Sequence, residues 1–220
     1  MGYTVSVKSI ELNGFEIKTT VTTKKEDIDS HISSFLRSSY DYGTKIIGFD
    51  VEWCLADPTD DEPNLFSRCA TLQLCDGNSC LVMRFEFHHQ VPNSLLNFMR
   101  MPNYTFVSYG VKDNLAELEK HLGIGCRNAV ELGPLAASLL KVPRLSYCGV
   151  DELAFLLCKL DLRKYRPASL DFDWSYVGAG NSEEDVKLAV VNVYSYHKIG
   201  SALLGSNNIL IGQQPQFGLF

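Results

Sequence analysis

Polar and apolar positions alternate from Thr4 to Leu12 and again from Phe15 to Thr23, with Asn13-Gly14 between them. An Asn-Gly pair between two alternating runs is the strongest short-range signal for a β-hairpin. Residues 25–38 change to helical spacing, with Ile28, Ile32, Phe35 and Leu36 on one side. Lys45 to Trp53 then opens with a short apolar run, Ile46, Ile47, Gly48 and Phe49, which predicts a buried strand. Cys69–Cys75 and Ser79–Phe85 predict a second hairpin around Asp76-Gly77-Asn78. Helical spacing returns over 93–101, a short strand is expected from Tyr104 to Tyr109, and a helix from Asp113 to Leu122 stops at Gly123. Two more helices are expected at 134–141 and 149–160, the second apolar at Leu153, Leu156, Leu157 and Leu160. Ser182 opens a long final helix, Glu183–Leu204, whose first turn holds Glu183, Glu184 and Asp185 and so suits the helix dipole.

Strands early and helices interleaved later predict an α/β fold, a mixed sheet flanked by helices, with an added N-terminal β-hairpin. The chain is 220 residues long, enough for one sizeable domain, and its 45% hydrophobic content supports a real core. One domain over 1–220 is expected: a hairpin at 1–24, a core at 45–204 and a tail at 205–220. The stretch from Asp57 to Asn64 reads as a solvated Pro- and Asp-rich loop. No internal repeat and no low-complexity segment interrupts this pattern.

Net charge is −6, which argues against a protein held to nucleic acid by bulk positive charge. An enzyme that grips a strand end locally is not excluded by it. The seven cysteines are at 54, 69, 75, 80, 126, 148 and 158, without paired CxxC spacing, and indicate neither a zinc site nor a disulfide framework. No apolar run is long enough to span a bilayer and no signal peptide is apparent. A reducing, soluble compartment, cytoplasmic or nuclear, is the expectation.

The candidate chemistry begins where the apolar strand ends. Asp50 and Glu52 are two residues apart, so in a strand both carboxylates point to one face while Val51 turns to the other. Two acids on one face repel each other and call for a countercharge, which a divalent metal supplies best. An isolated Asp-x-Glu more often just ends a strand in solvent. Downstream, Asp113 stands near the start of a helix, where an N-cap is the ordinary reading. Arg163-Lys164-Tyr165-Arg166 is a basic cluster with an aromatic inside it, suited either to phosphate contact and base stacking or to a solvated helix end. Trp53, beside the carboxylates, is placed either to stack a terminal base or to pack in the core.

Phe49-Asp-Val-Glu-Trp53, Ala70-Thr-Leu-Gln-Leu-Cys75 and Ser108-Tyr-Gly-Val-Lys-Asp113, in that order, resemble the ribonuclease-H-like DnaQ (DEDD) superfamily of 3′–5′ exonucleases. The closest branch is similar to the Werner-syndrome-type exonuclease domain, and in particular to the small plant RISC-interacting clearing exoribonucleases. The resemblance covers about residues 45–204, and Trp174-Ser175 before the last helix fits it. It implies four acids around two metal ions, Mg²⁺ or Mn²⁺. Asp50 would bridge both ions, Glu52 would bind one, and Asp113 would hold the second directly or through water. The fourth position departs from the pattern: Val191-Asn-Val-Tyr194 puts Asn192 where an Asp belongs and Leu188 where a Tyr belongs. Asn192 can offer a neutral oxygen, but one negative charge is gone. Tyr196 and His197 lie within a turn of Asn192, and Tyr196 shares its face.

The resemblance implies a metal-dependent 3′–5′ exonuclease acting by two-metal hydrolysis, with single-stranded RNA as the favoured substrate. It also implies a homo-oligomer, a ring-shaped hexamer in the plant group, and an Argonaute-type protein partner. The alternative is a catalytically impaired exonuclease fold that binds nucleic acid or scaffolds a protein.

Overall fold

A computed structural model describes residues 6–37, 45–55, 68–86, 90–165 and 183–205. Strands β1 (Ser6–Leu12) and β2 (Phe15–Thr22) pair antiparallel with Leu12 opposite Phe15. Asn13 and Gly14 between them have φ of 53° and 79°, the pair of left-handed conformations that a two-residue hairpin turn requires. Helix α1 (Lys25–Arg37) follows, then β3 (Lys45–Leu55), β4 (Arg68–Cys75) and β5 (Ser79–Glu86). Next come α2 (Asn93–Met99), β6 (Tyr104–Ser108), α3 (Val111–Leu122), β7 (Ala129–Glu131), α4 (Leu132–Leu140), α5 (Val150–Cys158) and α6 (Glu183–Leu204).

The seven strands form one mixed sheet in the order β1-β2-β5-β4-β3-β6-β7. Pairing is antiparallel from β5 through β4 to β3, and parallel from β3 to β6 and β6 to β7. The N-terminal hairpin is no appendage. β2 extends the sheet by parallel pairing to β5, with Lys18 opposite Ser79. The α/β class read from the sequence is therefore the observed one. Strand β7 went unforeseen because its three residues carry too short a pattern to signal a strand.

Helices cover both faces. Ile28, Ile32 and Phe35 of α1, Leu95 and Phe98 of α2 and Leu118 of α3 pack on Phe49, Leu72, Leu74 and Phe106. Phe98 anchors that layer, edge-on to Tyr104 and Phe106 at centroid separations of 4.8 and 5.5 Å. On the opposite face α6 lies against Cys75, Cys80, Val82 and Val107, with α4 and α5 packed beyond it. That burial from two sides explains why α6 is buried continuously from Leu188 to Tyr196. Among the described residues no helix is long and apolar enough to cross a membrane.

His31 of α1 carries a pH signature. It lies in a cleft with Lys18, Thr20 and Asp27, its Nδ1 3.2 Å from the Thr20 hydroxyl. Burial pulls its pKa down to about 4, Asp76 opposing and Lys18 adding to the drop. The folded value is below the unfolded one. The associated stability is complete above about pH 6.5 and is lost as pH falls toward 4. Relative to a His31→Gln variant, the wild type should lose about 1–2 kcal/mol more between these limits, allowing for partial exposure. Urea denaturation at a series of pH values measures the difference, and parallel curves would remove His31 from the account.

Candidate active site

Strand β3 sorts its side chains by parity. Ile47, Phe49, Val51 and Trp53 belong to the layer under α1, α2 and α3. Gly48, Asp50 and Glu52 therefore face α6. Gly48 lets the helix come down onto the strand: a Cβ there would lie 1.9 Å from the carbonyl oxygen of Val193 and 2.9 Å from the backbone nitrogen of His197. Tyr196, three residues past Val193, is brought over Asp50, and its hydroxyl donates to Asp50 Oδ2 at 3.3 Å. Asp50 Oδ1 accepts from the Val51 backbone N–H at 2.9 Å. The carboxyl is thus held at both oxygens.

Burial, then the nearby Glu52 charge, pushes the Asp50 pKa up to about 7, against the two hydrogen bonds that favour the ionised form. Burial also lifts Glu52 to about 7, with the charge of Asp185 adding to it. No cation among the described residues figures among the influences on either group. Two neighbouring carboxyls short of positive charge are a donor set that a hard divalent cation fits. Among the described residues no three His, Cys, Asp or Glu side chains are grouped to hold a metal, so the pair would need a further ligand.

Asp113 is the third residue of α3, not its N-cap, which is Gly110. The head of that helix abuts β3, since Asn114 Nδ2 donates to the Val51 carbonyl at 3.4 Å. The Asp113 side chain itself lies outside the described residues. Asn192 is buried, 8% exposed, one turn before Tyr196 on α6, and Leu188 is buried one turn earlier. His197 is engaged elsewhere, with Nδ1 3.0 Å from the Ile46 carbonyl and Nε2 3.3 Å from the Ser201 hydroxyl.

Other candidates stand apart from the carboxylates. Trp53 turns to the opposite face of β3 and meets His121 edge-on at 6.1 Å. Arg163 is chelated by Asp161 through bonds of 2.8 and 2.9 Å. The Tyr165 hydroxyl accepts from the Asn13 N–H at 2.6 Å, tying the Leu162–Tyr165 turn to the β1–β2 hairpin. That hairpin begins at the sheet edge and β1 is four strand steps from β3, roughly 19 Å across the sheet. Lys164 is exposed in the same turn, and Arg166 lies outside the described residues.

Two residues escaped the sequence reading. Asp185 reads in the sequence only as a helix-dipole acid, yet its charge acts on Glu52. Its seven-residue spacing from Asn192, two helical turns, was the available signal. Gln73 lies in β4 directly opposite Asp50. It was visible only as the polar member of an apolar strand.

A seven-stranded mixed sheet carrying Asp50 and Glu52 beneath its last helix has the fold of the ribonuclease-H-like 3′–5′ exonucleases. The resemblance read from the three motifs is borne out at that level. The chain is similar to the Arabidopsis thaliana RISC-interacting clearing 3′–5′ exoribonuclease 1, with 27% identity over 178 residues, 76% of this chain and 84% of that protein. Brucella melitensis NrnC superposes with a TM-score of 0.53 at 17% identity over 74% of each chain. Trypanosoma brucei RNase D, in a complex with GMP, superposes with a TM-score of 0.62 at 12% identity, over 87% of this chain and 58% of that one. No family model matches the chain.

Proposed function

We propose that the protein is a 3′–5′ exonuclease that uses Mg²⁺ or Mn²⁺ to hydrolyse phosphodiesters at the 3′ end of single-stranded RNA. The observation that carries the reading is the Asp50/Glu52 pair: two half-buried carboxyls on one strand face, each lifted to about 7, in an exonuclease fold. NrnC supports the choice of metal and substrate, since it has been seen both with bound Mg²⁺ and with bound pGG. When bound, the two ions would lower the pKa of the attacking water and stabilise the leaving oxygen.

The chain's own groups do the holding. Asp50 and Glu52 supply negative charge from one rigid strand, and Asp113 would add a third carboxylate from the head of α3. The Val51 N–H and the Tyr196 hydroxyl fix Asp50. Asn192 would offer a neutral oxygen from α6, with Asp185 contributing charge two turns away. Arg163, Lys164 and Tyr165, with Arg166 next to them in sequence, would bind nucleic acid, the first three remote from the cleavage point, and Trp53 would support β3 by packing. The family resemblance read from the motifs carries the further proposals of a homo-oligomer, a hexameric ring, and of an Argonaute-type partner, in cytoplasm or nucleus.

The second reading, an impaired exonuclease fold that binds nucleic acid or scaffolds a partner, rests on Leu188 and Asn192 at the degenerate positions. One assay separates the two: a 5′-labelled single-stranded RNA incubated with Mg²⁺, with Mn²⁺ or with chelator. A 3′-to-5′ ladder with metal that vanishes in chelator is the expected result. Absence of a ladder with either metal transfers the reading to binding or scaffolding.

A further inference from the structure

Gln73 of β4 is in register with Asp50 across the antiparallel β3–β4 pair. The two side chains leave the sheet on the same face, with Cβ atoms about 5 Å apart. Gln73 is 0% exposed, and neither its Nε2 nor its Oε1 has a hydrogen-bond partner among the described residues. Its neighbour on the other flank, Val82 of β5, offers nothing polar. An unsatisfied buried carboxamide is a liability, and an apolar side chain of the same shape would remove it. The chain carries this liability beside the carboxyl on which the proposed chemistry turns.

We propose that Gln73 is a positioning residue for Asp50, its carboxamide finding its missing partners when a hydrated divalent cation fills the site. The inference rests on the exonuclease reading and deepens it. The amide N–H groups can donate to a carboxylate oxygen, while the amide oxygen accepts from a water of the cation's shell. A neutral amide does both without adding charge where Asp50, Glu52 and Asp185 already repel. Lysine or arginine there would compete with the cation, and glutamate would increase the repulsion. Groups one bond removed from a metal's ligands set its affinity by orienting those ligands. Tyr196, on the Oδ2 side of Asp50, is the complementary restraint.

The test compares the full-length chain with its Gln73→Met variant in three measurements: thermal midpoint in chelator, Mn²⁺ affinity by calorimetry, and kcat and KM on RNA. The midpoint is expected to equal or exceed that of the wild type. Mn²⁺ affinity should fall about tenfold, and kcat should fall while KM for RNA holds. A raised midpoint with unchanged Mn²⁺ affinity and kcat would make Gln73 a packing residue and overturn the proposal. A lowered midpoint in chelator would overturn it too, because the carboxamide would then already be satisfied in the metal-free fold. Failure of the wild type to bind Mn²⁺ would instead sink the exonuclease reading, and this inference with it.

Discussion

In the Asp50→Asn variant, nucleotide release from RNA should fall on the order of a thousandfold or more. The substitution keeps volume and shape: the amide oxygen can still accept from the Val51 N–H, and the amide N–H can donate to the Tyr196 hydroxyl oxygen. What disappears is the negative charge, and with it half of the paired-carboxyl field that suits a divalent ion. The same variant should be more stable than the wild type in chelator. The raised Asp50 pKa means that folding at neutral pH partly desolvates a carboxylate that water would rather hold. Removing it should contribute about 1–3 kcal/mol above pH 7, fading as pH falls toward 4. Activity and stability thus move in opposite directions, a combination that simple damage to the fold cannot produce. Undiminished release by the variant would sink the enzymatic reading.

A second large effect is expected at Gly48. The methyl group of a Gly48→Ala variant would sit 1.9 Å from the Val193 carbonyl oxygen, a backbone atom in the middle of α6 that cannot rotate aside. The helix must lift or the strand must bend. A forced shift of packed backbone of this kind costs about 3 kcal/mol, enough to lower the thermal midpoint by roughly 10 °C. Nucleotide release should fall further than stability alone accounts for, since lifting α6 withdraws Tyr196 from Asp50 and moves Asn192 with it. Calorimetry together with the RNA assay reads both consequences. A variant with the wild-type midpoint would mean that α6 does not rest on β3 as described.

Much of this arrangement is legible in the sequence alone. The Asn13-Gly14 turn, the alternation on either side of it and the bounds of α6 are local signals, written within a few residues of the elements they define. The shared face of Asp50 and Glu52 follows from strand parity alone. Less legible were features that depend on what lies across the sheet. Gln73 is only a polar residue between Leu72 and Leu74 until the β3–β4 register sets it against Asp50. Asp185 suits a helix dipole until α6 is laid over β3. The start of α3 was misjudged by two residues, because Gly110 in a left-handed conformation begins that helix where an aspartate cap was expected. The Asp113 metal role and the tail from Asn207 fall on side chains or residues outside those described.

The position of α6 in the chain also sets the order in which the molecule can mature. β3 and its two carboxyls leave the ribosome more than a hundred residues before the helix that covers them. Until α6 arrives, the sheet face bearing Asp50 and Glu52 lies open to water, where the two acids ionise at little cost and nothing holds Asp50 Oδ2. The site is therefore a late product of synthesis. A growing chain that has completed its other face still lacks the half-buried, charge-starved pair that would draw in a metal.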